Sequence, residues 1–214
     1  MVMRATVLIL LAALGAAECQ RTPPEDFSSR TSTPVAKAAP PAPPPTNGAA
    51  APSALAGRCI RQTPAAPPAP VPPGPAAACP TDPEGGPGKL PIVRVSFPDA
   101  HDADVDAELV RSEHDTERGL MYRKSLPEDR GMLFDLRVRD DHQFWMHNTC
   151  IPLDLIYADE DGLIVGIVEN APTLDDTPRG VGCPSRYVLE VNAGWCRRHG
   201  VKAGQRMTIP DEAR

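Results

Sequence analysis

Between positions 144 and 154 the chain reads Phe-Trp-Met-His-Asn-Thr-Cys-Ile-Pro-Leu-Asp, a dense run of side chains able to do chemistry. On an extended strand Phe144, Met146 and Asn148 point one way, and Trp145, His147 and Thr149 the other. Trp145 and His147 can then wall a small ligand cleft, with Asn148 and Asp154 as its polar groups. Asp154 stands between Leu153 and Leu155. It is therefore expected to be partly buried and to need a partner. Arg118 is the expected one, since a bidentate Arg–carboxylate pair suits a low-dielectric site. The same run also reads as a core strand with Trp145 packed at a rim. A second chemistry uses Met121, Met132 and Met146 with His147: thioethers plus an imidazole favour Cu(I). Methionine is equally a filler of irregular cores.

Nucleophilic arrangements fare less well. Ser185 and His199 lack the Gly-x-Ser-x-Gly turn that exposes a catalytic hydroxyl. Cys150 beside His142 or His147 would have to stay a free thiolate. The acid pairs Asp140/Asp141 and Asp159/Asp161 fall in turns, where carboxylates are solvated. Zinc needs a close Cys pair that the spacing does not supply. No Gly-rich phosphate loop is present. The expectation is a non-catalytic domain without a cofactor.

Composition divides the chain. Of 27 Pro and nine aromatics, residues 20–91 hold 20 Pro and only Phe27. Such a segment cannot bury enough apolar surface to offset its ordering entropy. Residues 92–214 carry the other eight aromatics and are the size of one ordinary domain. Residues 1–87 carry six Lys/Arg and five Asp/Glu, a net of +1; residues 88–214 carry 16 and 23, a net of −7. An acidic domain without a basic stripe repels a phosphate backbone, so nucleic acid is not an expected partner.

The N-terminus reads as an address. A short basic start at Arg4 precedes an uncharged apolar run over residues 5–17, the length of a signal-peptide core rather than of a membrane span. Two readings stand: cleavage after Ala17, or lipid attachment at Cys19, where Glu18 is an unusual preceding residue. The domain division is a secretory signal over 1–17, a disordered Pro/Ala-rich spacer over 18–89 and a β-rich domain over 90–210. Fully extended, the spacer would reach roughly 200 Å at most. Any contact with membrane would run through the N-terminal lipid alone. Six Cys in an exported chain indicate disulfides. Cys150–Cys183 is the expected pair, worth roughly 3–4 kcal/mol by loop closure. Cys59 and Cys79 would close a loop within the spacer or pair between chains, and Cys196 would be a free core thiol.

The elements that must position these groups are short. Strands are expected over 92–97, 105–110, 131–134, 142–149, 153–158, 163–168, 186–191 and 205–209. The Asp161-Gly162 turn joins two of them as a hairpin. A first helix capped near Ser112 should run over 116–123. A second, after Asn192, should run through 195–199 and stop at Gly200. No regular βαβ alternation remains, so a doubly wound parallel sheet is disfavoured. The fold class is mainly β: one jelly-roll-like sandwich or barrel with two short helices, behind a disordered tail.

Several motifs in order carry a resemblance. They are Arg118-Gly119-Leu120-Met121, Leu126-Pro127, Gly131-Met132-Leu133-Phe134, the run from Phe144 to Asp154, Glu169-Asn170, and Tyr187 through Gly194. Over about residues 90–210 the chain resembles the domain-of-unknown-function family numbered 192, small prokaryotic proteins that often carry export signals. The resemblance implies a jelly-roll-like β domain and brings no activity, substrate or catalytic residue. His147 stands where a Lys is common in that family, so no cation role carries over to it. The functional expectation is an exported, non-catalytic domain in the periplasm or cell envelope, binding a small ligand or an envelope protein. The alternative is an exported metal-binding domain of the Cu(I) type or an enzyme.

Overall fold

The computed structural model describes residues 55–86, 88–100 and 103–214. Six strands carry the fold: β1 (Ile92–Ser96), β2 (Asp104–Val110), β3 (Arg130–Asp140), β4 (Leu153–Ala158), β5 (Ile164–Ala171) and β6 (Ser185–Asn192). They form one sheet in the order β1-β2-β3-β6-β4-β5. Only β2 and β3 run parallel; the other neighbours are antiparallel. The parallel step needs a crossover, and α1 (Glu113–Arg118) lies in it. The mainly β class with two short helices holds, and its strands make a single mixed sheet.

Period-2 alternation puts an apolar cluster on each face of this sheet. Leu133, Ile156, Leu189 and Val191 turn to one face, where Trp195 and Cys196 of α2 (Trp195–His199) cover them. Met132, Phe134, Leu155, Tyr157 and Val188 turn to the other, with Leu120, Met146 and Ile151 above. The central strand β6 is thus covered on both sides. Its interior residues 187–191 are buried throughout.

Local signals explain most boundaries. Ser112 caps α1, its Oγ accepting from the Asp115 N–H at 3.0 Å. The helix then ends early, because Gly119 adopts φ 47°, a conformation natural to glycine. The expected extension to residue 123 is therefore lost. Gly162 (φ 80°) makes the β4–β5 turn as its Asp-Gly signal requires. Residues 142–149 and 205–209, expected as strands, each form a single bridge (Phe144 with Arg179, Leu163 with Arg206). Asn148 at φ 52° breaks the first of these runs.

Part of the Pro-rich region is not a spacer. Residues 55–86 are fastened to the domain by two disulfides, Cys59–Cys183 and Cys79–Cys150. The expected Cys150–Cys183 pair does not form. A loop-closure argument over the domain's own cysteines took no account of partners supplied by the Pro-rich segment, which reach both. Proline cannot donate to a ladder, yet its carbonyls accept. The Arg197 guanidinium donates to the carbonyls of Pro64, Ala65 and Ala66 at 2.6–3.1 Å. Arg58 pairs with Asp159 and Asp161 of the β4–β5 turn at 2.6 and 2.8 Å. Cys196 is free and buried, as expected. The signal segment, Cys19 and the rest of the expected spacer up to residue 54 lie outside the described residues.

Candidate functional site

Four of the side chains singled out in the sequence, Arg118, Trp145, His147 and Asn148, meet between α1 and the 142–149 loop. That loop is held by backbone bonds to a facing segment. Phe144 and Arg179 exchange N–H···O bonds at 2.8 and 2.7 Å, the Met146 N–H donates to the Asp175 carbonyl, and the Leu174 N–H donates to Thr149. The alternation expected for the run survives over its first residues. Met146 is buried, whereas Trp145 is 48% exposed. The Trp145 and His147 rings lie 5.2 Å apart, and His147 Nδ1 sits 2.7 Å from the Asp176 carboxylate.

Two neighbouring cavities open here. The inner one, about 250 Å³, is lined by Phe134, Phe144, Trp145, Arg118, Glu117 and Glu190 among others. The outer one, about 370 Å³, shares Glu117, Arg118, Met121 and Trp145 with it and adds His147 and Asn148. Trp145 therefore stands on the ridge between them. Phe134 and Phe144 meet edge to face at 5.1 Å and stiffen the inner wall. Asn148 donates through Nδ2 to the Tyr122 hydroxyl at 2.9 Å, and the Tyr122 N–H donates back to the Asn148 carbonyl. Arg118 lies over the Tyr122 ring, 5.5 Å from its centroid.

Arg118 and Asp154 do not pair. The Arg118 guanidinium binds Asp82 at 2.6 Å and Glu84 at 3.1 Å, both on the fastened Pro-rich segment. Asp154 points to the opposite face of the sheet. There its carboxylate accepts from the backbone N–H groups of Asn170, Gly194 and Cys196 at 2.9–3.0 Å. Burial raises its pKa while those donors pull it back. The expectation that Asp154 is buried and partnered holds, but its partners are main-chain donors, one on β5 and two at the start of α2. Four of the five expected ligand-binding residues come together at the cavities, and Asp154 is not among them. Of the thioether set, Met132 and Met146 are buried in the apolar cluster and Met121 lines the cavities. None of the described cavities is lined by Met121, Met132, Met146 and His147 together.

Glu190 is the residue that sequence reasoning passed over. It sits mid-strand in β6, 4% exposed, and lines the inner cavity. Its Oε2 has no hydrogen-bond partner among the described residues. Burial pushes its pKa up to about 8, against a weaker downward pull from Arg123. That pull is weak because Arg123 is already committed to both Glu108 oxygens at 2.6 Å. Near neutral pH, burial therefore favours the protonated acid. Gly119 leaves room beside it: a Cβ there would lie 3.3 Å from Phe134 Cζ and 3.9 Å from Glu190 Oε2. A buried carboxyl without a protein partner, open to a cavity, can donate to a bound group or, once ionised, neutralise one.

The chain is 35% identical to a protein of unknown function from Novosphingobium aromaticivorans DSM 12444, with a TM-score of 0.53 over 63% of this chain and 95% of that one. It is also 35% identical to a protein from Sinorhizobium meliloti 1021 described as a candidate transcription regulator, with a TM-score of 0.52 over 56% of this chain and 97% of that one. No curated protein matches. The family model DUF192, described as "Uncharacterized ACR", matches residues 95–209, which hold β2 to β6, the 142–149 loop and Glu190. The chain belongs to the DUF192 family.

Proposed function

We propose that this is an exported, non-catalytic domain that binds a small ligand in the inner cavity, with Trp145 at its mouth and Glu190 on its floor. The observation that carries the reading is the unpartnered, buried Glu190 carboxyl facing an open, aromatic-lined space. Burying such a group without a partner costs stability. A site that recruits a ligand accounts for that cost, and a core position does not. Export is supported by the N-terminal apolar run and by two disulfides, which persist in oxidising compartments. Among the described residues no helix is long and apolar enough to cross a membrane. Lipid attachment at Cys19 would tether the domain to the envelope surface. The regulatory description of the Sinorhizobium meliloti protein would point to DNA, and the net −7 over residues 88–214 weighs against that partner here.

The test is ligand-observed NMR with a panel of neutral, cationic and anionic fragments, repeated on Trp145→Ala. Binders that lose affinity in the variant, at unchanged thermal stability, support the reading. A panel without a single binder overturns it.

A further inference from the structure

The charges lining the inner cavity do not balance, and the imbalance selects a ligand class. Arg118 is the fixed cation on the lining, but Asp82 and Glu84 already hold it at 2.6 and 3.1 Å. Arg123, whose charge reaches Glu190, is held by Glu108 through both oxygens. His142, on the loop, commits Nε2 to the Val138 carbonyl at 2.9 Å. Tyr157, from β4, bonds through its hydroxyl to the Arg179 carbonyl at 2.9 Å. Among the described residues, the acids on the lining left without an ion pair are Glu117 at the mouth and Glu190 on the floor. Between them stand the rings of Trp145, Phe144 and Phe134. Aromatic faces with carboxyl groups are the chemistry that recognises an organic ammonium ion, through cation–π attraction and charge pairing in a partly dehydrated site.

We infer that the ligand is a small organic cation, an amine or quaternary ammonium group with a compact apolar body, seated against Trp145 and countered by the Glu190 carboxylate. The inference rests on the inner cavity being a ligand site, as proposed above. A volume of about 250 Å³ suits a molecule of this class. Long-range attraction acts the same way, since the net −7 over residues 88–214 favours the approach of cations. An anion would have to displace Arg118 from two carboxylates. A neutral polyol would leave Glu117 without a countercharge and would draw nothing from the ionisation of Glu190.

Binding a cation ionises Glu190, so affinity should rise with pH. Choline and its uncharged isostere 3,3-dimethylbutan-1-ol make the comparison, titrated into the full chain at pH 6.5 and pH 9 by calorimetry or NMR. For a carboxyl titrating near pH 8, choline should bind about 30-fold more tightly at pH 9, and the alcohol should show no such gain. Glu190→Gln should abolish both the pH dependence and the preference for choline. Trp145→Ala should weaken choline binding at both pH values while leaving the fold intact. Alcohol binding equal to or stronger than that of choline would overturn the cation inference and leave the cavity as a ligand site. So would choline affinity that is flat or falls with pH. Failure of both compounds would overturn the inference as well. Only a fragment panel with no binder at all would remove the site itself.

Discussion

Replacing Glu190 with Gln should stabilise the protein above pH 5, and the size of the gain follows from its surroundings. In the unfolded chain a Glu loses its proton near pH 4.5, whereas burial keeps the folded carboxyl protonated up to about pH 8. Between those values the native state holds a proton that the unfolded state has released. Stability must then fall as pH rises across this window. At pH 7 the gap is 7 − 4.5 = 2.5 pH units, which at about 1.36 kcal/mol per unit costs about 3 kcal/mol. Glutamine has nearly the same shape and cannot ionise, so the variant escapes that cost. The assay is urea unfolding of wild type and Glu190→Gln from pH 4.5 to pH 9 with the disulfides intact. Taking the difference between the two proteins cancels other perturbed acids, notably Asp159, which burial raises to about 6. The difference should be small near pH 4.5, reach about 3 kcal/mol in favour of the variant at pH 7, and level off above pH 8. At roughly 2–4 °C per kcal/mol, the melting temperature at pH 7 should rise by roughly 6–12 °C. A difference that does not change with pH, or a variant less stable than wild type at pH 7 to 8, would refute the reasoning. An acid kept at that cost to stability is the pattern expected of a functional group.

Three further outcomes follow from the same geometry. Trp145→Ala should change stability by no more than about 0.5 kcal/mol, because the ring is half exposed; a large loss in thermal unfolding would make it a core residue instead. Asp154→Asn should destabilise by about 1–3 kcal/mol for each backbone donor left without an acceptor, as read from urea midpoints. Peptide mapping of the unreduced protein should recover Cys59 joined to Cys183 and Cys79 joined to Cys150, and a Cys150–Cys183 peptide would contradict the structure. Removing Cys79–Cys150 by a double Ser substitution should cost about 2–5 kcal/mol. It should also loosen Asp82 and Glu84 from Arg118.

What was legible in the sequence is what short-range physics controls. The alternation of β6, the Asp-Gly turn before Leu163, the Ser112 cap and the stop at Gly200 all stand where residue type alone puts them. Trp145, His147, Asn148 and Arg118 line one cavity, but Arg118 is held there by Asp82 and Glu84 and not by the Asp154 pair expected of it. Apart from the early end of α1 at Gly119, the failures share one cause, namely long-range partners. A run such as 142–149 has a strand's alternation, but only a second strand alongside can make it one, and here a single bridge to Arg179 is all it finds. A Pro-rich stretch looks unable to fold because it has no core of its own. Residues 55–86 instead use the domain's core, its carbonyls taken up by Arg197 and its cysteines by Cys150 and Cys183. Glu190 was missed for the same reason. Alternation against Leu189 and Val191 assigns it to the polar face of a two-faced strand, yet the second apolar cluster covers that face too. The one sequence signal for it was a single acid inside the apolar run from Tyr187 to Val191. Asp154 was recognised as buried, but backbone donors leave no trace in residue types.

The most direct measurement is a carbon-13 NMR titration of the Glu190 side-chain carboxyl, assigned by comparison with Glu190→Gln, with and without saturating choline. The account predicts a midpoint near pH 8 in the free protein and a clearly lower one when choline is bound. A midpoint in the ordinary range for a solvated glutamate, unmoved by choline, would contradict it.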